Sequence, residues 1–166
     1  MKPVDYVNRI NESYQSMGYP PYQWSINDAA PLAKLKKPLS ECTVSMLTSG
    51  GISYRHAEPF EPAAKNNFRL DEIDPGTSAD GFQINDGYYD YRDGEKDINV
   101  IFPLERLREL AADGVIGAVA NRLWSGFMGR IYKRRQIIED AAPRFADALQ
   151  RDGVDARQLR RARAAP

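Results

Sequence analysis

Apolar side chains recur at three- and four-residue steps near the start of the chain: Val4, Tyr6, Val7, Ile10, Tyr14 and Met17. That spacing predicts an amphipathic helix over about residues 3–17, closed by Gly18. Pro20 and Pro21 then stop helical structure and leave Tyr19, Tyr22 and Trp24 on an extended segment. A second irregular stretch lies between Pro31 and Pro38. Cys42–Leu47 is rich in β-formers and predicts a strand that runs into the small-residue loop Thr48-Ser49-Gly50-Gly51. From His56 to Gly81 the sequence shows little periodicity and predicts a long loop, followed by a short strand at Phe82-Gln83-Ile84. Ile98–Phe102 predicts another strand. Pro103 opens a helix carrying Leu104, Leu107, Leu110 and Ala111 on one face, and Asp113-Gly114 ends it. Val115–Ala120 reads as a buried strand, 121–129 as a loop, and 131–151 as a long helix with a kink at Pro143. Asp152-Gly153 ends that helix as Asp113-Gly114 ended the earlier one.

Strand, helix, strand and helix in this order imply an α/β domain with parallel pairing. A third strand is expected after the second Asp-Gly-Val. The chain instead turns arginine-rich, with Leu159 its one large apolar residue between Asp155 and Pro166. Such a segment is not a buried central strand, because unpaired buried arginines are costly. The pattern therefore predicts a helix and aromatic, proline-rich arm over 1–41, an α/β domain over 42–156 that is incomplete at its C-terminus, and a disordered tail over 157–166.

Composition narrows the chemistry. Among 166 residues there are one His and one Cys. Cys42 alone forms no disulfide framework, and Cys42 with His56 cannot supply a four-ligand zinc site. A Ser-His or Cys-His mechanism would have to use His56. No apolar run reaches membrane-spanning length, and the first residues lack the apolar core of a signal peptide. A cytoplasmic, reducing setting is expected. Lys and Arg total 23, as do Asp and Glu, but the charges are unevenly placed. Residues 71–97 hold nine acids, whereas 101–166 hold 13 basic residues against 8 acidic ones. The basic runs 130–135 and 157–163 lack interleaved aromatics and read as a solvated helix face and a tail, so no nucleic-acid partner is expected.

Several residues are candidates for binding. Thr48-Ser49-Gly50-Gly51 either presents backbone N–H groups to a carboxylate or is a tight structural turn. Asp86, Tyr88, Tyr89, Asp90, Asp93 and Asp97 form either a solvated acidic loop or a cage for an ammonium group or hard cation. Their spacing is not that of an EF-hand, and no metal is expected. Asp97 and Asn99 occupy alternate positions of the expected strand and would share a face. Phe127 and Met128 either wall a small ligand or dock their loop. Cys42 reads as a packed strand residue and His56 as an exposed histidine.

A family resemblance adds to this reading. The segments 6–24 (YVNRINESYQSMGYPPYQW), 47–51 (LTSGG), 88–120 (YYDYRDGEKDINVIFPLERLRELAADGVIGAVA) and 125–129 (SGFMG), together with the last helix and DGVDA, carry it. From Val4 to Asp155 the chain resembles the selenoprotein B family of glycine, sarcosine, betaine and D-proline reductases, the proline-type dithiol-dependent members most of all. The resemblance implies a Rossmann-like three-layer domain and reductive cleavage of a C–N bond in an amino acid or amine. In the family a U/C-x-x-C motif after the strand following the second DGVD carries the chemistry. A low-pKa selenol or thiol attacks there, and a second thiol resolves the intermediate.

The present sequence contains no such motif, and Cys42 matches no redox position. Histidines usual in proline-type relatives are replaced in the neighbourhoods of Asn85, Asp86, Gly87, Tyr91, Leu123 and Trp124. The expectation is a truncated or short member of the family, inactive alone and without a cofactor or catalytic residue of its own. The alternative is a non-catalytic binding or assembly module that completes its sheet with a partner chain. On either reading the partners are a small amino acid or amine and further subunits, in a homo-oligomer or a reductase complex. The expected substrate-binding residues are Thr48, Ser49, Gly50, Gly51, Tyr88, Asp90, Asp97, Asn99 and Phe127.

Overall fold

In the computed structural model, which describes residues 6–22, 26 and 33–160 (158–160 by backbone), every residue from Val44 to Thr48 is buried. These positions belong to β1 (Thr43–Thr48). An apolar residue on each face of a strand requires cover on both sides. Val44 and Met46 pack with Leu104 and Leu107, while Leu47 packs with Trp124, Phe145 and Ala148. Alternate side chains leave opposite faces, so a helix covers each face of β1.

The chain divides into two units, Met1–Lys34 and Leu35–Pro166. In the first, α1 (Tyr6–Ser16) follows the predicted helix. Gly18, at φ +84°, closes it as its N–H donates to Gln15 O at 2.9 Å. Trp24 lies outside the described residues.

In the second unit β2 (Ile52–Tyr54) pairs antiparallel with β4 (Phe82–Ile84), apart from the main sheet. The main sheet contains β1, β3 (Leu70–Ile73), β5 (Ala118–Val119), β6 (Leu123–Gly126) and β7 (Ala156–Arg160). β5, β6 and β7 run parallel to β1, and β3 runs antiparallel to β6. Val44 faces Val119 on one side and Ala156 on the other, and Leu47 faces Trp124 and Leu159. β5 and β6 therefore share one edge of β1, and β7 takes the other. From Val119 to Trp124 the chain advances five residues against three from Val44 to Leu47, a bulge of two. Ser45 Oγ spans it by donating to Arg122 O at 2.9 Å. The result is a mixed α/β sheet with helices on both faces.

The buried strand expected over Val115–Ala120 is only Ala118–Val119, with Val115 and Ala118 exposed. Four further departures from the sequence reading have physical causes. Ile98–Val100 is a 3₁₀ turn, not a strand. Ile98, Ile101 and Phe102 are buried while Val100 is exposed, a helical spacing and not an alternation. Residues 123–126, read as loop, form β6, with Leu123 and Ser125 on one face and Trp124 on the other. The long loop contains β3 and is tied down by Arg69. The Arg69 guanidinium forks onto Asp71 at 2.7 and 2.6 Å, donates to Glu58 and Pro59 carbonyls, and lies 4.3 Å over the Phe60 ring. Finally, 156–160 is a strand, where a tail was expected from 157. Among the described residues β7 pairs only with β1, and Arg157 is exposed with its guanidinium 5.2 Å over Phe145. An edge position spares it the desolvation that a central strand would impose. Residues 161–166 lie outside the described residues.

α3 (Leu104–Ala112) follows Pro103 as its sequence signal predicts, whereas α2 (Arg92–Lys96), just before the 3₁₀ turn, is a short helix in a segment read as an acidic loop. α4 (Arg134–Gln136) continues through a π turn, Ile137–Ala141, into α5 (Ala142–Arg151). There the Ala142 N–H donates to Ile137 O. This wider turn sits where the Pro143 ring would strain a regular helix. No helix among the described residues is long and apolar enough to cross a membrane.

Arg122 fastens the amino end of β6. It forks onto Asp152 at 2.8 and 2.6 Å and reaches Glu72 at 2.9 Å. The Arg122 side chain holds the Asp152 carboxyl below its usual value. A depressed carboxyl contributes stability above its unfolded value, near 3.9, and loses it as pH falls through the folded one. Asp152→Asn is expected to lower the thermal midpoint at pH 7 and to flatten the loss of stability below about pH 4. The turn at 98–102 gives a second test by chemical denaturation. Val100→Ser is expected to change stability by no more than about 0.5 kcal/mol, and Ile101→Ala to cost about 2–5 kcal/mol. Equal costs would favour a strand.

Candidate ligand site at the carboxyl ends of the strands

β1 and β6 end side by side, with Thr48 paired to Ser125. In open α/β sheets the crevice beyond the carboxyl ends of parallel strands is the usual ligand position. Here Thr48–Gly51, the 85–91 segment, the 98–102 turn and the 126–130 loop meet these strand ends.

Thr48-Ser49-Gly50-Gly51 is a tight turn packed by protein. The Gly50 N–H donates to Thr48 Oγ1 at 3.2 Å, and that hydroxyl donates to Ile101 O at 3.4 Å. A Cβ on Gly50 would stand 2.4 Å from Ile101 Cγ2 and 3.1 Å from the Tyr89 hydroxyl oxygen. Gly51, at φ +70°, has Asn85 O at 2.2 Å from where its Cβ would be. Ser49 is half-buried. The glycines thus make room for Ile101, Tyr89 and Asn85.

The acidic segment separates into two kinds of residue. Asp90 and Asp93 point to solvent and pair with Arg92 and Lys96. The Arg92 side chain holds the Asp90 carboxyl down at about 2. Asp86 is half-buried beside Gly51, and its Oδ1 accepts the Tyr88 N–H at 2.7 Å. Burial pushes the Asp86 carboxyl up from its ordinary value. Tyr88 is exposed. Tyr89 donates its hydroxyl to Gly50 O at 2.7 Å, and burial raises that hydroxyl far above the usual phenol range. Among the described residues no three His, Cys, Asp or Glu side chains gather as a metal site.

Asp97 and Asn99 do not share a strand face. Asp97 Oδ1 accepts from the Asn99 N–H and Nδ2 at 2.9 and 2.8 Å. Asn99 Oδ1 accepts the Glu105 N–H at 3.0 Å, while its Nδ2 donates to Glu105 Oε2 at 2.9 Å. The pair caps the first turn of α3, which satisfies an otherwise orphan N–H. Phe127, at φ +49°, lies edge-on to Phe145 with centroids 6.1 Å apart, and Met128 is buried. His56 is exposed and stacks on Tyr54. Cys42 is fully buried at the other end of β1 and donates its thiol to Pro38 O at 3.3 Å.

Three residues that the sequence did not single out stand in this cluster. Ser125 Oγ and Asn85 Oδ1 are buried and make no hydrogen bond among the described residues. Buried polar atoms are ordinarily paired, so both are places to receive a ligand or water hydrogen bond. Arg130 is half-buried at φ +63°, outside the helix that begins at Arg134. Its Nη1 donates to Ala63 O at 3.0 Å, and the Tyr132 and Tyr88 side chains raise its pKa from the ordinary value. Asn66 steadies the same loop by donating its N–H to Arg130 O and accepting from the Tyr132 and Lys133 N–H groups. Nothing in one dimension separates Arg130 from the basic run 130–135.

Two substitutions check this geometry. Gly51→Ala is expected to cost about 1–3 kcal/mol, because it combines a left-handed backbone with a collision at Asn85 O. Tyr89→Phe is expected to cost about 0.5–1.5 kcal/mol by leaving Gly50 O without its donor. In an alkaline absorbance titration Tyr89 is expected to ionise after the exposed tyrosines. An unchanged high-pH profile in Tyr89→Phe would contradict that.

Comparison with known proteins agrees with the motifs. A family model described as glycine/sarcosine/betaine reductase selenoprotein B matches residues 7–160. The D-proline reductase subunit gamma of Acetoanaerobium sticklandii is 34% identical over 120 residues, covering 72% of this chain and 48% of the relative. The sarcosine reductase complex component B subunit beta of Peptoclostridium acidaminophilum is 31% identical over 118 residues, 69% of this chain and 26% of the relative. The glycine reductase complex component B subunit gamma of Symbiobacterium thermophilum is 29% identical over 134 residues, 74% of this chain and 30% of the relative. The chain spans about half, or less, of the length of these relatives. No solved structure matches. By the match over residues 7–160 and these identities, the chain belongs to the glycine/sarcosine/betaine reductase selenoprotein B family.

Proposed function

We propose that this chain is a substrate-side scaffold of the reductase type, which binds a small amino acid or amine at the carboxyl ends of β1 and β6, and that its 166 residues do not by themselves cleave a C–N bond. One observation carries the reading. β7, the strand after the second Asp-Gly-Val-Asp, ends beside Thr48, where the resemblance would put a selenol or thiol, and the sequence there reads Arg160-Arg161-Ala162-Arg163. Reductive cleavage needs a two-electron donor, and a dithiol is the family's. Cys42 cannot serve, since it is buried and lies about 20 Å away along a strand rising about 3.3 Å per residue. The names of the relatives, subunits of D-proline, sarcosine and glycine reductases, support a ligand of that class and a place beside other subunits. Parallel β1, β6 and β7 with α3 and α5 on opposite faces support a Rossmann-like arrangement.

The second reading is an assembly module. It is favoured by the outer edge of β7, which has no strand partner among the described residues and invites pairing with another chain.

Calorimetry with D-proline, sarcosine and glycine, beside an amine-release assay with dithiothreitol as reductant, tests the proposal. Binding of at least one compound without turnover is expected. Turnover by the chain alone would contradict the scaffold reading, and failure to bind any of the three would contradict a substrate site. A monomer in light scattering would count against assembly through β7 of two copies.

A further inference from the structure

Cys42 O accepts the Ala118 N–H and Val44 O accepts the Ala120 N–H. Successive residues of a strand bond to opposite edges. Thr43, Ser45 and Leu47 therefore turn their peptide groups the other way, toward β7, and Thr43 O accepts the Asp155 N–H there at 3.0 Å. With Val44 level with Ala156, the β7 residues that bond to β1 are Ala156, Gln158 and Arg160. The N–H and C=O groups of Arg157 and Leu159 point to the outer edge, where no strand pairs among the described residues.

That edge carries charge of one sign. From Ala156 to Pro166 the sequence holds Arg157, Arg160, Arg161 and Arg163 and no acid. The carboxylates just before it are committed elsewhere: Asp152 holds Arg122, and Asp155 holds Lys37 and the Thr43 N–H. Arg157 is exposed, rests over the Phe145 ring and joins none of the ion pairs among the described residues. Like charges opposite one another in a strand pair are destabilising, and opposite charges stabilise. A second copy of β7 laid along this edge would set arginine against arginine. A strand bearing carboxylates would satisfy both the outward backbone groups and the charge.

We propose that the outer edge of β7 takes an extended acidic segment of another protein chain as an added strand, bonded at the N–H and C=O of Arg157 and Leu159. This rests on the reading that the β7 edge pairs with another chain. It adds the charge of the partner and the backbone groups that hold it, and it excludes a second copy of β7 as the occupant.

Fluorescence anisotropy with a labelled synthetic peptide of about six residues, alternating glutamate and valine, tests the proposal. Matched peptides carry glutamine or lysine in place of glutamate. The glutamate peptide is expected to bind the unaltered chain about tenfold more tightly than the glutamine peptide, and the lysine peptide more weakly still. Amide exchange at Arg157 and Leu159 is expected to slow when the glutamate peptide binds. Leu159→Pro removes an outward N–H and leaves the bonds to β1 in place, so it is expected to abolish binding. A glutamine peptide that binds as tightly as the glutamate peptide would overturn the acidic partner and leave the edge reading standing. Glutamate-peptide binding that survives Leu159→Pro, or that leaves both amides exchanging as before, would put the peptide elsewhere and overturn the proposal. A dimer of the unaltered chain that Leu159→Pro disrupts would make a second copy the occupant, with the same consequence. No binding of any peptide would overturn the edge reading and the proposal together. If Leu159→Pro does not fold, the peptide series and the amide exchange on the unaltered chain decide by themselves.

Discussion

β1 is buried on both faces and has strand partners on both edges, interrupted on one of them by the bulge between β5 and β6. Every N–H and C=O it carries must be met by a neighbouring strand or cap, since a buried unpaired backbone group is costly. That requirement sets the register of β5, β6 and β7. Asp155 contributes at the amino end: its Oδ2 accepts the Thr43 N–H at 2.8 Å, its own N–H donates to Thr43 O, and Lys37 pairs with it. With the amino end fastened in this way and Arg122 fastening β6 to Asp152, the strands reach their carboxyl ends together. The loops meeting there inherit their positions from the central strand.

Elements whose apolar spacing is complete were legible in the sequence. α1 with its Gly18 stop, β1, α3 after Pro103 and the long helix through Pro143 all carry local signals that packing reinforces. Elements specified by pairing were not. β6 contains Ser125 and Gly126, which read as loop. It becomes a strand because β1 and β3 supply hydrogen bonds on both edges and because Arg69 O approaches Gly126 too closely for a side chain. Ile98–Phe102 shows the reverse error. Its β-branched residues suggest a strand, but Asp97 caps a turn that buries Ile98, Ile101 and Phe102 together. Local propensity gave way to tertiary contacts in both cases.

The candidate site was legible only in part. Small residues after β1 marked the strand-end turn, yet the space beside Gly50 and Gly51 is occupied by Ile101, Tyr89 and Asn85. Asp97 and Asn99 were chosen for a shared face and instead cap α3. Arg130 was hidden inside a basic run, because what distinguishes it is three-dimensional: a left-handed turn, a tether to Ala63 and two tyrosines from different segments. The groups that meet at this strand end are not ones that sequence spacing brings together.

β7 pairs along the edge of β1 opposite β6, with its carboxyl end at Thr48. Arg157 is exposed on this strand, as a long charged side chain at a sheet edge can be. Native-state hydrogen exchange resolved by residue tests this pairing most directly. If β1 is the central strand, amides 45–48 exchange only by global unfolding, and amides in 156–160 that bond to β1 are protected with them. Exchange of 156–160 at the rate of an unstructured chain, with β1 amides exchanging along one edge, would contradict the account.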